Sequence, residues 1–197
     1  LEQLNAGTLN PSLQLDVITA AQTRSEKVTA IKEALAAFEG TRKPGDLVDG
    51  YRECLEGGNA EKGRDIFMNH IAAQCVRCHN YSSGKGSTIG PNLKSIGLQK
   101  DRAYILESLV NPQAVIAPGY GTISLTLKNG DTVAGQFRKE TKSEIEIRDA
   151  ENKPIKVPVD QVKERTPVVS TMPPMFALLK KNEIRDVVAY LAGLRAK

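Results

Sequence analysis

The sequence contains no tryptophan, three cysteines, two histidines and three methionines among 197 residues, and these scarcities narrow its function. Three cysteines are too few for a disulfide framework in a chain this long, and two of them sit in one tight cluster. The net charge is only +4, with 27 basic residues scattered among 23 acids. No basic stripe interleaves with aromatics, so nucleic-acid binding is not expected. No apolar run approaches the roughly 18 residues of a membrane span. Leu1-Glu2-Gln3-Leu4 has neither the basic start nor the apolar stretch of a secretory signal. With no initiator Met, the chain reads as a piece cut from a longer polypeptide.

What remains is an ordinary soluble composition, able to bury one good core or two small ones. The first third reads helical. Asn10-Pro11 supplies a cap and a proline at the first helical position, Ser25 opens a run to Phe38 closed by Gly40, and a third helix spans Asp46 to Leu55 before Gly57-Gly58. Leu13, Val17, Ile18 and Ala21 share one face, and Val28, Ile31, Leu35 and Phe38 another. Such helical pairs fit the end of a helical repeat array. Further helices start at the caps Asn59 and Asp101, the second stopping before Pro112, and a last one starts at Asn182, with Ile184, Val187, Val188, Leu191 and Leu194 inward.

From Thr122 the period changes. Ile123, Leu125 and Leu127 alternate with polar residues, Asn129-Gly130 predicts a two-residue hairpin turn, and Thr132 to Phe137 pairs back. Ile145 and Ile147, then Ile155, Val157 and Val159, predict two more strands of a small antiparallel sheet, closed or half-closed as a barrel. A Pro-rich loop follows from Thr166 to Pro174. The expected organisation is a helical segment over 1–58 and a domain over 59–197 interrupted by a β insert at 121–165.

The chemistry concentrates in Cys75-Val76-Arg77-Cys78-His79. Cys-x-x-Cys-His is the attachment signature of haem c: each thiol adds to a vinyl group and the adjacent imidazole ligates the iron. The rival zinc reading needs two further ligands from Cys54, His70 or a carboxylate, and no second paired knuckle supplies them. A thioredoxin-like dithiol lacks its βαβ context. Met172 and Met175, flanking Pro173-Pro174, compete for the sixth position on the iron, where either thioether would be held by an extended, stiff segment. Met68 reads as core packing, His70 as a polar helix residue, and Cys54 as a buried free thiol with an intermolecular disulfide as runner-up.

With these residues the chain resembles class I c-type cytochromes, and more narrowly the planctomycete-type haem-binding domain found at the C-terminus of large multidomain proteins. The likeness runs from Asn59 to the end. It is carried by the Gly63 and Phe67 helix, Gly90-Pro91-Asn92-Leu93, Ser170-Thr171-Met172-Pro173, the closing helix with Val187, Tyr190 and Leu191, and Ala117-Pro118-Gly119-Tyr120 leading into an alternating-strand insert. The resemblance implies a mainly α, cytochrome c fold with an inserted antiparallel sheet and an N-terminal helical extension. It also implies His79 as proximal ligand, the Pro91 carbonyl as acceptor of its other ring proton, and Met172 as distal sulfur with Met175 as fallback. Phe67, Gly90, Pro91 and Leu93 would join Cys75, Cys78, His79 and Met172 around one covalent haem c.

The expected activity is single-electron transfer to or from an attached or associated dehydrogenase, in the periplasm or otherwise outside the cytoplasm, with no substrate transformed by the chain itself. A haem-based ligand sensor or peroxidase-like domain with an open or labile distal site is the alternative, and a docking module with structural haem a third possibility.

Overall fold

A computed structural model describes residues 1–82 and 85–195, the side chain of Lys85 excepted. Its chain divides into two compact units. One comprises Leu1–Thr88, Asn92–Asn111 and Pro174–Lys197; the other comprises Ile89–Pro91 and Pro112–Pro173.

The helical unit opens with α1 (Glu2–Asn5), α2 (Pro11–Ser25) and α3 (Thr29–Glu39). The Asn10 side chain accepts from the Ser12 amide at 3.0 Å, and Pro11 needs no donor of its own at the first helical position. Leu4, Ile18, Ala21, Leu35 and Phe38 form the core between these helices. Leu13 is instead 50% exposed, because Leu15 faces inward with Ile18 and Ala21. Ser25 ends α2 and does not open α3, which starts four residues later. The stretch expected as a third long helix is a short 3-10 helix, Asp49–Cys54.

Next come α4 (Ala60–Asn69), α5 (Cys75–Cys78), the strands β1 (Asn80–Ser82) and β2 (Lys85–Gly86), then α6 (Ile96–Gln99) and α7 (Arg102–Val110). Asn59 caps α4 by accepting from the Glu61 and Lys62 amides, and Asp101 caps α7 by accepting from Tyr104 N at 2.8 Å.

The sheet unit holds β3 (Gly121–Leu127), β4 (Thr132–Glu140), β5 (Glu144–Arg148), β6 (Pro154–Pro158), β7 (Val162–Arg165) and β8 (Val169–Ser170). Their order is β6-β5-β4-β3-β7, all neighbours antiparallel, with β8 also pairing β3. Among the described residues no ladder joins β6 to β7, so the sheet is open. Ile123, Leu125, Ile145, Ile147 and Val157 make its apolar layer. The β3–β4 turn is longer than a two-residue turn: Leu127 N donates to Asp131 O at 2.8 Å around Lys128, Asn129 and Gly130, with Gly130 at φ 93°. That is a three-residue loop whose last position favours glycine.

The chain returns to the helical unit through a 3-10 turn, Met175–Ala177, and ends in α8 (Lys181–Gly193). Lys180, not Asn182, is its N-cap, with Lys180 N donating to Glu183 Oε2 at 2.7 Å. This helix is the spine of its unit. A Cβ on Gly58, Gly63 or Gly97 would overlap the α8 carbonyl of Arg185, Asp186 or Ala192 respectively. The chain therefore approaches α8 backbone to backbone at three places, and only glycine allows that.

The expected mainly α class with a cytochrome c fold is overturned. The chain is 43% helical and 19% strand, a mixed α and β architecture with a six-stranded antiparallel sheet. Strands β3 to β6 form where alternation places them, but β7 forms just past Val159 and β8 inside the Pro-rich loop, both hydrogen-bonded along β3, so that the sheet expected as an insert is a six-stranded unit of its own. Apolar alternation in strands this short, two to four residues, is too brief to register as a period. Among the described residues no helix is long and apolar enough to cross a membrane.

Candidate functional site

The Cys75–His79 segment is held from both sides by its own backbone. α4 stops at His70, whose Nδ1 accepts from Ala73 N at 3.1 Å while its carbonyl accepts from Gln74 N at 3.1 Å. Gln74 then adopts a left-handed conformation, φ 43° and ψ 43°. A non-glycine residue there costs energy that neighbouring contacts must offset. The Gln74 side chain supplies two: Nε2 donates to Ile71 O at 2.8 Å, and Oε1 accepts from Arg77 Nη1 at 3.1 Å.

From this reversal α5 starts directly at Cys75. Cys75 and Cys78 are three residues apart on one helical turn and therefore share a side of it. Both are free thiols, Cys75 half-buried and Cys78 exposed. Burial pushes the Cys75 thiol up to about 11, so it rests protonated at neutral pH. His79, half-buried, leaves the turn in extended conformation, φ −105° and ψ 138°, with its amide donating to Cys75 O at 2.9 Å.

Beyond His79 the backbone is pinned again. Asn80 O accepts from Leu93 N at 2.7 Å, and Asn80 pairs with Gly86 across β1 and β2. Gly86, at φ 97°, lies so close to the His79 carbonyl that a Cβ would overlap it. Phe67, 2% exposed, ties α4 to this hairpin and to α8: its ring meets Tyr81 edge-on at 5.7 Å and Tyr190 at 5.5 Å. Just before the turn, Ile71 leaves 88% of its surface exposed.

No family model and no curated protein matches this sequence.

Of the other residues singled out from sequence, Leu93 belongs to the helical unit, whereas Gly90, Pro91 and Met172 belong to the sheet unit. Met172 is half-buried, and its amide donates to Ser170 Oγ at 3.2 Å. Met175 is 3% exposed in the 3-10 turn that packs against α7 and α8, where its thioether fills core space. Cys54 is fully buried, its thiol donating to Lys181 O at 3.3 Å and pushed by burial to about 12. Among the described residues, no three His, Cys, Asp or Glu side chains gather as a metal-binding group, and a structural zinc site needs four such donors.

Two residues of the site escape sequence reading. Gln74 carries no signal, because glutamine has no left-handed preference. Gly86 carries a weak one, as a glycine seven residues after the histidine, which only the hairpin explains.

Proposed function

We propose that this chain binds one haem c covalently through Cys75 and Cys78, with His79 as an axial ligand, and serves as a single-electron carrier. The observation that carries this reading is the attachment turn itself: two free thiols on one helical turn followed by a half-buried imidazole whose backbone is fixed on both sides. These residues fit the group. Thioether formation needs reduced thiols one helical turn apart, and an axial imidazole needs a backbone that does not drift. The exposed Ile71 beside the turn offers apolar surface of the kind a porphyrin edge covers.

When bound, the group supplies reversible one-electron exchange at its iron. The chain's own residues do the rest. Cys75 and Cys78 would hold the group against α5 and His79 would supply the imidazole, on a backbone that Gly86 approaches at the His79 carbonyl and that Leu93 N pins at the Asn80 carbonyl. Met172 is proposed as the second axial ligand on the strength of the sequence resemblance; Met175 is engaged in packing α7 and α8. The donor or acceptor is proposed to be an attached or associated dehydrogenase, and the site of action the periplasm or cell surface, where the two thiols meet haem in reduced form.

The test is intact mass and visible spectra of the chain made in a host equipped for c-type maturation. The expected result is one added haem that stays with the denatured protein in acidified organic solvent. A colourless product, or pigment that extracts, ends the proposal. In the loaded protein Met172→Ala is expected to abolish the near-infrared iron-to-sulfur band, whereas Met175→Ala keeps it.

A further inference from the structure

We infer that Gln74 is a positioning residue for the attachment turn: its side chain holds the strained left-handed backbone that aims Cys75 and Cys78. The inference rests on the haem reading for its purpose and on the local geometry for its mechanism. Gln74 is the last residue before Cys75, and its φ of 43° and ψ of 43° convert the end of the 70–74 turn into the start of α5. No regular helix or strand imposes that conformation. What holds it is local: Gln74 N donates to His70 O and Arg77 N to Gln74 O through the backbone, and the side chain adds one contact on each side of the reversal, its amide NH2 on the Ile71 carbonyl and its amide oxygen on Arg77.

The clamp has a direct consequence for attachment. Each thiol adds its S–H across one vinyl double bond, sulfur bonding to the carbon next to the ring and hydrogen ending on the terminal carbon, with no oxidant or reductant consumed. Both additions must be made to one rigid ring, so the two sulfurs need a fixed mutual geometry before the second bond closes. A free left-handed residue immediately before the first cysteine would let that cysteine swing out of the helical turn. Gln74 prevents it, and Cys78, already exposed, depends on it less.

The three cysteines provide the readout in the haem-free full chain. Cys54 is 0% exposed and reports global opening, Cys75 is half-buried and reports the turn, and Cys78 is exposed throughout. Under native conditions, residue-resolved alkylation of Gln74→Ala is expected to label Cys75 about fivefold faster than in the parent, as loss of two solvent-exposed hydrogen bonds allows. Cys54 and Cys78 rates are expected to hold. Gln74→Gly lacks the clamp but adopts positive φ at no cost, so it is expected to restore much of the protection. An unchanged Cys75 rate in Gln74→Ala, or a Gly variant that labels faster than the Ala variant, overturns the inference. Should Gln74→Ala expose Cys54 as well, the Gly variant alone decides.

The same variants made with haem separate this inference from the reading beneath it. The parent is expected to carry two thioethers. Gln74→Ala is expected to yield a several-fold larger fraction joined through one sulfur, visible as a red-shifted pyridine haemochrome and by peptide mass, and Gln74→Gly a smaller one. A coloured parent whose Gln74→Ala variant shows the same product ratio overturns the clamp alone. A colourless parent overturns the haem reading, while the alkylation rates still judge the clamp.

Discussion

The two units of this chain are held together in opposite ways. The sheet unit spreads its stability along ladders: Ile123, Leu125, Ile145, Ile147 and Val157 each add burial to a common layer, at roughly 1.5–3 kcal/mol per side chain. Its polar face carries ion pairs between exposed lysines and half-buried glutamates, such as Lys139–Glu146 and Lys156–Glu144. The helical unit concentrates its stability at a few points. Glu53 is 1% exposed, yet it receives Arg42 through both carboxylate oxygens, at 3.0 and 3.1 Å, and Lys181 of α8 through one. Burial works against the Arg42 charge, but its hydrogen bonds to Glu39 and Glu53 outweigh that and hold the guanidinium above its ordinary pKa. Three glycines set the distance of the chain from α8. The contrast teaches that sequence periodicity reports the first kind of stability and hardly touches the second.

The contrast is sharpest at Glu53. Removing the carboxylate in Glu53→Ala leaves Arg42, whose side chain is only 13% exposed, paired with Glu39 but without its buried partner, beside a Lys181 ammonium that loses the same partner. The expected loss is about 3–5 kcal/mol, the usual consequence of breaking a buried charge network from one side. Hydrogen exchange resolved by segment checks it: α2, α3 and α8 are expected to lose protection, with β3 to β6 retaining theirs. Equal loss in the sheet would show that the two units unfold as one and would dissolve the comparison.

Gly63→Ala comes next. The added methyl meets the Asp186 carbonyl and approaches Tyr190 Cβ at 2.9 Å, so α4 must move away from α8. The expected loss is about 3 kcal/mol, the upper part of the range for overpacking, because the obstructing atoms are backbone and cannot rotate aside. Protection of α4 amides and the midpoint of urea unfolding measure it. A change near zero would mean that the close approach of the two helices contributes nothing.

The same division explains what the sequence disclosed. Asn10, Asn59 and Asp101 announced helix starts, because a side-chain acceptor for free amides is a local device. Ile123, Leu125, Ile145 and Ile147 announced strands, because alternation survives any arrangement of the sheet. The mixed class was missed because a sheet legible strand by strand was weighed as an insert in a helical fold, and because β7 and β8, which enlarge it to six strands, draw their pairing from β3 and not from their own residues. The 3-10 turn at Asp49–Cys54 was missed for a related reason: a buried ionic cluster fixes it, and charged residues in sequence read as surface. At the site, Cys75, Cys78 and His79 were legible as a spacing. The Gln74 reversal and the Gly86 hairpin, which shape the turn, depend on hydrogen bonds that no spacing encodes.

The smallest effect is expected on the polar face of the sheet. Lys156 Nζ lies 3.0 Å from Glu144 Oε1 across β5 and β6. The hydrogen bond to Glu144 raises the lysine's pKa above its ordinary value. The pair's contribution is therefore complete below the ordinary lysine value and is lost as pH rises through the raised one. Water surrounds the ammonium, and exposed pairs of this kind contribute little. Lys156→Gln is expected to leave the urea midpoint of the sheet amides at pH 7 within experimental scatter, and the parent is expected to show only a slight fall in that midpoint above the lysine range. A loss on the scale of Gly63→Ala would mean that the sheet, too, depends on single polar contacts, and its stability would then be as concentrated as that of the helices.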